Sequence, residues 1–183
     1  TRRSLMLNLG GGMVTDLGGF AASTFKRGIA YINIPTTLLA MVDASVGGKT
    51  GINFNGLKNE IGVFSPAQSV IIDTNFLRTL DFQNIASGYA EMLKHGLIST
   101  TEHWAELLNF DMNDINYHAL QTLVAQSVQI KENIVRQDPL EQGIRKALNL
   151  GHTVGHAFES LALEENRPHL HGYAVAWGLV CEL

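Results

Sequence analysis

The stretch Arg145-Lys-Ala-Leu-Asn-Leu-Gly-His-Thr-Val-Gly-His156 constrains the fold more than any other. Read as one helix, it places Arg145, Asn149, His152 and His156 at spacings of four, three and four. At about 100° per residue these side chains lie within roughly 60° of one another. Ile144, Ala147, Leu148, Val154, Ala157 and Phe158 fall away from that stripe. The spacing therefore predicts a buried helix carrying a row of one cation, one amide and two imidazoles. Burying such a row is costly unless each polar group finds a partner. A solvated face, or a histidine satisfied inside the core, would account for one such residue; four in line point to a site. Gly151 and Gly155 each cost a helix about 1 kcal/mol relative to alanine, so close approach by a ligand or a second backbone is the expected reason for both.

That helix needs a core to sit in. The chain has 183 residues, of which 45% are hydrophobic and 16% charged. This is a globular composition, sufficient for one large or two small domains. A net charge of −4 argues against a nucleic-acid partner, so an anionic ligand must be met by local cations. The single cysteine, Cys181, excludes an internal disulfide and a thiolate zinc cage, and fits a reducing, cytoplasmic setting. No run approaches about 18 unbroken apolar residues, so no membrane span is expected. Thr1-Arg-Arg-Ser4 leads straight into an apolar strand without a signal-peptide pattern. Ser4–Leu9 reads as a buried strand with nothing before it, and Ala174–Leu183 as a helix that simply stops. The chain is therefore expected to be part of a longer enzyme.

Along the chain, Leu5–Leu9 reads as a parallel strand and Gly10-Gly-Gly12 as a tight turn. A small-residue helix follows around Leu17–Phe25, then a second strand at Ala30–Ile34. Strand, glycine turn, helix and strand make a βαβ unit whose turn can approach a pyrophosphate. The dinucleotide fingerprint is incomplete, because Thr15 stands where its last glycine belongs. Leu38–Asp43 looks helical, and Ala44–Asn59 reads as a glycine-rich loop presenting Lys49, Lys58 and Asn59. Gly48-Lys-Thr50 is not a P-loop, since Asp43 stands where the first glycine would be. Val70–Asp73 reads as a third strand. From about residue 83 the chain turns helical: Ile85–Thr100, Glu102–Leu108, Asn116–Arg136, the central helix, and a last helix entered through the loop His169-Leu-His-Gly172.

A catalytic divalent site here must be built from histidine and carboxylate, and two histidines plus one glutamate is such a set. Without an H-E-x-x-H motif the ligands come from separate elements: Glu91, His152, and either His169 or His171. Glu91 and Lys94, three apart, would otherwise be a surface ion pair. Arg27, Lys49, Lys58, Lys94, Lys131 and Arg145 flank the glycine loops or sit on polar stripes. In a chain with only 13 Lys plus Arg, such positions suit phosphate or carboxylate.

Taken together, Gly10-Gly-Gly-Met-Val-Thr-Asp16, Phe25-Lys-Arg-Gly28, Pro35-Thr-Thr-Leu-Leu-Ala40, Val42-Asp-Ala-Ser-Val-Gly-Gly-Lys-Thr50, Gly88-Tyr-Ala-Glu-Met-Leu-Lys94 and Leu150-Gly-His-Thr-Val-Gly-His-Ala157 resemble the 3-dehydroquinate synthase family over essentially the whole chain. The resemblance implies an α/β nucleotide-binding part, residues 1–82, truncated at its N-terminus. An all-helical metal- and substrate-binding domain, residues 83–183, follows and is truncated at its C-terminus. It implies NAD and Zn²⁺ or Co²⁺ as cofactors, a sugar-phosphate substrate and a homodimer. Carried over by position, the metal ligands are Glu91, His152 and His171. The NAD contacts are Gly12, Met13, Val14, Thr15, Asp16, Thr36, Thr37, Lys49, Lys58 and Phe76, Leu77, Arg78 and Thr79. Lys94, His156, Lys49 and Asp43 take catalytic roles, and Asn59, Lys131, Arg145 and Asn149 bind substrate. Arg27 matches a phosphate contact made across the dimer interface. Asp138-Pro-Leu-Glu141 departs from the family's more charged turn and lies outside the carried-over ligand set.

The implied reaction converts 3-deoxy-arabino-heptulosonate 7-phosphate to 3-dehydroquinate and phosphate. It proceeds by transient oxidation, phosphate elimination, reduction, ring opening and aldol closure. A related sugar-phosphate cyclase, a zinc- and NAD-dependent polyol dehydrogenase, and an inactive fragment of the synthase are the alternatives.

Overall fold

The computed structural model describes residues 1–55 and 57–183, and the side chains of all but residues 56–58. Strand β1 (Leu5–Gly10) is followed by helix α1 (Gly12–Thr24) and strand β2 (Ala30–Pro35). The strands pair in parallel, Leu5 beside Ala30 through Gly10 beside Pro35. A short strand β5 (Ser69–Val70) pairs on the other edge of β2, giving the order β1-β2-β5. Small residues let α1 lie close on this sheet. A Cβ at Gly18 would stand 2.1 Å from Asn8 Oδ1 of β1; one at Gly19 would stand 2.4 Å from Thr50 Cγ2, in the segment after the sheet's second strand. The buried Asn8 amide donates in turn to Asn33 Oδ1 at 2.9 Å, so the polar pair inside the sheet is satisfied.

The expected loop at 44–59 is largely an antiparallel hairpin, β3 (Lys49–Phe54) and β4 (Leu57–Phe64), with a register irregularity between Ile52 and Phe54. Its glycines were misleading as loop signals. Gly51 stands opposite Gly62, and a Cβ on Gly62 would come within 2.6 Å of Thr50 O, so they serve close strand approach. The expected strand at 70–73 is reduced to Ser69–Val70, and a 3-10 helix, Thr74–Thr79, takes over behind an Asp73 cap.

The helices α2 (Phe82–Leu97), α3 (Thr101–Leu108) and α4 (Tyr117–Gln137) start at Asp81, Thr100 and Asn116. Each of these side chains accepts an N–H of the first turn, the usual means of satisfying those orphan donors. Pro139, two residues beyond α4, cannot continue it. One apolar core joins both halves: Leu38, Met41, Val42 and Leu77 pack with Ile85 and Met92 of α2 and Leu120 and Val124 of α4. Residues 40–44 form a π-helical turn in that core.

The continuous helix expected over Arg145–His156 is broken. Ile144–Asn149 is a 3-10 helix, Leu150 is extended, and Gly151 is left-handed at φ +79°. Helix α5 starts only at His152 and runs to Glu164. Helix α6 (His171–Glu182) crosses it. His171 is the first residue of α6 rather than part of a preceding loop.

Candidate metal and anion site

Three elements bring three donors together. Glu91 comes from the middle of α2, His152 from the first turn of α5 and His171 from the first turn of α6. His152 Nε2 and His171 Nε2 each lie 3.6 Å from Glu91 Oε1. Glu91 is fully buried. Its Oε1 has no hydrogen-bond partner among the described residues, whereas Oε2 is paired with the Lys94 ammonium. So the pair expected at a surface is sealed inside.

Each histidine is anchored from behind. His152 Nδ1 faces Leu150 O at 3.2 Å, and His171 Nδ1 faces Glu159 Oε1 at 3.2 Å. A hydrogen on Nδ1 satisfies those acceptors and leaves the Nε2 lone pair of both rings turned toward Glu91 Oε1. Donors about 2.1 Å from one tetrahedral ion stand roughly 3.4 Å apart, so this set fits a divalent cation. Two other groups have comparable spacing, His156–Glu159–His171 and Asp43–Glu91–His95. They fit less well, because Glu159 in the first already faces His171 Nδ1 and Asp43 in the second is held by Lys131.

The lysines around the triad are paired with carboxylates, Lys94 with Glu91, Lys131 with Asp43 and Lys49 with Glu141. Lys131 Nζ donates to Asp43 O at 2.6 Å and to Asp43 Oδ1 at 2.5 Å. Burial opposes ionisation of Asp43, but the Lys131 and Lys94 ammonium groups outweigh it and hold this carboxyl well below its usual range. Burial also pushes Lys131 and His152 down, with Lys94 adding to the depression of both. His152 is thereby favoured as the neutral imidazole that metal binding needs. Burial disfavours a proton on His171 too, but the hydrogen bond to Glu159 and the charge of Glu91 win and raise it. Asp16 is raised to about 7, first by burial and then by the charge of Asp43.

Two adjoining cavities open here. One, of about 450 Å³, is lined by Asp16, Asp43, Lys49, Asn59, Lys131, Arg145, Asn149, His152, His156 and His171. The other, of about 790 Å³, reaches Gly12 and Met13 and shares Asp16, Asp43, Asn59, His156 and His171. Arg145 is fixed on the wall: its guanidinium donates to Gly47 O at 2.9 Å and Pro139 O at 2.7 Å, and its Cζ lies 5.6 Å from the centre of the Phe64 ring.

Other expected residues lie elsewhere. Thr15 is buried and donates to Gly12 O, and Val14 packs under Gly10. Thr36 and Thr37 sit at the carboxyl end of β2, where Thr36 N donates to Gly10 O. Phe76, Leu77, Arg78 and Thr79 line neither cavity; Leu77 is in the core, and Arg78 lies over Tyr117. Arg27 follows α1 at φ +68° and also lines neither. The Lys58 side chain lies outside the described residues.

Glu141, in the turn read from sequence as lying outside the ligand set, lines neither cavity but touches two residues that line the smaller one. It pairs with Lys49 and accepts from Asn149 Nδ2 at 2.7 Å. Asp138 shapes its turn, accepting the N–H groups of Gln142, Gly143 and Arg145. The four-residue period of the polar row, extended back from Arg145, falls on Glu141; extended past His156 by three, it falls on Glu159. That signal was present in the sequence. Nothing in it marked His95, whose buried ring nitrogens have no hydrogen-bond partner among the described residues.

Residues 1–87 match the 3-dehydroquinate synthase N-terminal family model, and residues 88–183 the C-terminal one. A curated 3-dehydroquinate synthase of Parabacteroides distasonis is 67% identical over 183 residues, covering all of this chain and 52% of that protein. One from Streptococcus pyogenes is 44% identical over 182 residues, covering all of this chain and 50% of its own length. The chain thus spans about half the length of the curated relatives it matches. Among solved structures, the 2-epi-5-epi-valiolone synthase of Streptomyces hygroscopicus subsp. jinggangensis 5008, with NAD⁺ and Zn²⁺ bound, matches with a TM-score of 0.85 at 35% identity over 94% of this chain and 48% of that one. A 2-deoxy-scyllo-inosose synthase complexed with carbaglucose-6-phosphate, NAD⁺ and Co²⁺ matches with a TM-score of 0.88 at 30% identity, over 98% of this chain and 50% of that one. With both family models together spanning residues 1–183, the chain belongs to the 3-dehydroquinate synthase family.

Proposed function

We propose that this chain carries the metal- and substrate-binding centre of a 3-dehydroquinate synthase. The enzyme converts 3-deoxy-D-arabino-heptulosonate 7-phosphate to 3-dehydroquinate and phosphate, a carbon–oxygen bond cleavage at phosphate with NAD and Zn²⁺ or Co²⁺. The observation that carries this reading is the buried Glu91 Oε1, without a hydrogen-bond partner among the described residues, facing two imidazole nitrogens at 3.6 Å, beside a cavity walled by Lys49, Lys131 and Arg145. When bound, the metal supplies Lewis-acid polarisation of substrate hydroxyls, and NAD accepts and returns a hydride.

The chain's own residues do the rest. Glu91, His152 and His171 hold the metal. Lys94 and Lys131 bring positive charge to the place where an alkoxide and then a carbonyl oxygen develop, and it is worth more there than in water. Asp43, kept ionised by those lysines, accepts a substrate hydroxyl proton in a hydrogen bond. Arg145 and Asn149, already tied to backbone and to Glu141, orient the carbohydrate without moving. His156, with its ring 5.4 Å from that of His152, donates to the departing phosphate. Gly12 and Asp16 line the adjoining cavity, which suits the nicotinamide end of NAD. Residues 1–82 serve as the nucleotide-binding part and 83–183 as the helical part. The enzyme works as a homodimer in the cytoplasm; among the described residues no helix is long and apolar enough to cross a membrane.

The two cyclase neighbours support the alternative of a related sugar-phosphate cyclase, but the 67% identical relative favours the synthase. The test is turnover by the full-length protein on the heptulosonate phosphate, a heptulose 7-phosphate, glucose 6-phosphate and glycerol. Phosphate release from the first alone, lost with bound zinc in Glu91→Gln, is expected. Turnover of another substrate in preference to it would reject the synthase reading.

A further inference from the structure

Helix α5 has an unusual start. It begins after Gly151, whose left-handed backbone offers no side chain to cap it. The N–H groups of a first helical turn have no partner inside the helix. Here the partner comes from the far end of another helix. Glu182, the last residue of α6, accepts Gly151 N on Oε2 at 2.7 Å and Val154 N on Oε1 at 3.0 Å. The two carboxylate oxygens thus bracket His152, and the negative charge sits at the positive end of the α5 dipole.

The position matters because of what the two helices carry. His152 opens α5 and His171 opens α6. The α5 start is pressed against α6, where a Cβ at Gly151 would stand 2.8 Å from Val175 O. Leu150, whose carbonyl faces His152 Nδ1, directly precedes the Gly151 N–H that Glu182 holds. Rotation of the peptide between Leu150 and Gly151 would move the His152 anchor and the Glu182 bond together.

We propose that Glu182 is a positioning residue for the metal triad. By clamping the first turn of α5 to the end of α6, it fixes the backbone from which His152 reaches Glu91. This rests on the reading of Glu91, His152 and His171 as metal ligands. Removing support behind a ligand typically costs about 10- to 100-fold in metal affinity.

The experiment is a zinc competition titration against a chromophoric chelator on the full-length protein, with the visible spectrum of the Co²⁺-loaded form as a second readout. Glu182→Ala should weaken zinc about 10-fold or more and alter the Co²⁺ band. Glu182→Gln keeps one acceptor oxygen and should fall between it and the parent. Asn116→Ala removes the cap of α4, a side chain that accepts from His118 N and Ala119 N. It should lower the melting temperature and leave zinc affinity unchanged, which separates positioning from loss of stability. If Glu182→Ala does not fold, Glu182→Gln alone decides. Parent-like affinity and spectrum in a folded Glu182 variant would overturn the proposal while leaving the triad standing. If the parent protein binds no zinc, or Glu91→Gln binds it as tightly, both the triad and the proposal fall.

Discussion

The two oxygens of Glu91 differ: one is neutralised by Lys94, and the other, the proposed metal ligand, has no hydrogen-bond partner among the described residues. Its neighbour across the cavity, Asp16, is in the opposite situation. Burial and the charge of Asp43 raise it to about 7, from an ordinary 3.8. The folded protein therefore holds a proton there that the unfolded chain releases above about pH 4. Its ionisation costs stability progressively from that pH up to about 7, and the full cost remains above 7. Asp16→Asn removes this term, so the variant should match the parent near pH 4 and exceed it at pH 8. Discounted for partial exposure, the gain is on the order of 1 kcal/mol, or about 3 °C in melting temperature. Thermal melts of both proteins from pH 4 to 8 check this, and a constant difference across the range would contradict it. The sequence could suggest Glu91, His152 and His171 as ligands by type, and family resemblance chose His171 over His169. It could not show the raised Asp16, because that shift depends first on burial and then on Asp43 arriving from another segment.

At the scale of elements, α5 and α6 meet backbone to backbone. A Cβ on Gly178 would lie 1.9 Å from Gly151 O, and one on Gly155 would lie 2.9 Å from Ala174 O. Helix α6 meets α2 in the same way, Gly172 against Ser87 O, and Gly172 N donates to Ser87 Oγ at 3.0 Å. The sequence reading anticipated close approach at Gly151 and Gly155, and a second backbone is what approaches. It missed the break at Leu150-Gly151, since the periodic polar row continues through it and only the left-handed Gly151 reveals the turn. It missed the hairpin because glycines that permit close strands look like glycines that permit loops. Gly178→Ala gains about 1 kcal/mol of helix propensity. Against that stands a clash with a backbone oxygen that cannot rotate away, and overpacking of this kind costs about 1–3 kcal/mol or more. The net expectation is a loss of about 2 kcal/mol, read as a lower urea midpoint, together with weaker zinc binding. An unchanged midpoint would mean the helices do not meet at this distance.

At the scale of the whole molecule, the sheet is small: three parallel strands with Leu5, Leu7 and Leu9 of β1 more than half exposed. Gly12 and Asp16 line the cavity, but little of the structure lies beyond β1 to support the rest of a dinucleotide. The 183-residue chain should therefore bind NAD at least about 10-fold more weakly than the full-length protein, by loss of contact area. Titration calorimetry on both settles this, and equal affinities would refute it. The cavity, by contrast, is closed by partners remote in sequence. Lys131 and Asp43 are 88 residues apart, and Arg145 and Gly47 are 98 apart. Contacts of such separation carry the loop-closure entropy that slows folding, and they form only when the segments between them have been gathered. The cavity wall thus carries a larger loop-closure cost than the β1–β2 pairing. On a ribosome it cannot exist until α4 and the turn after it have emerged, however early the sheet has formed.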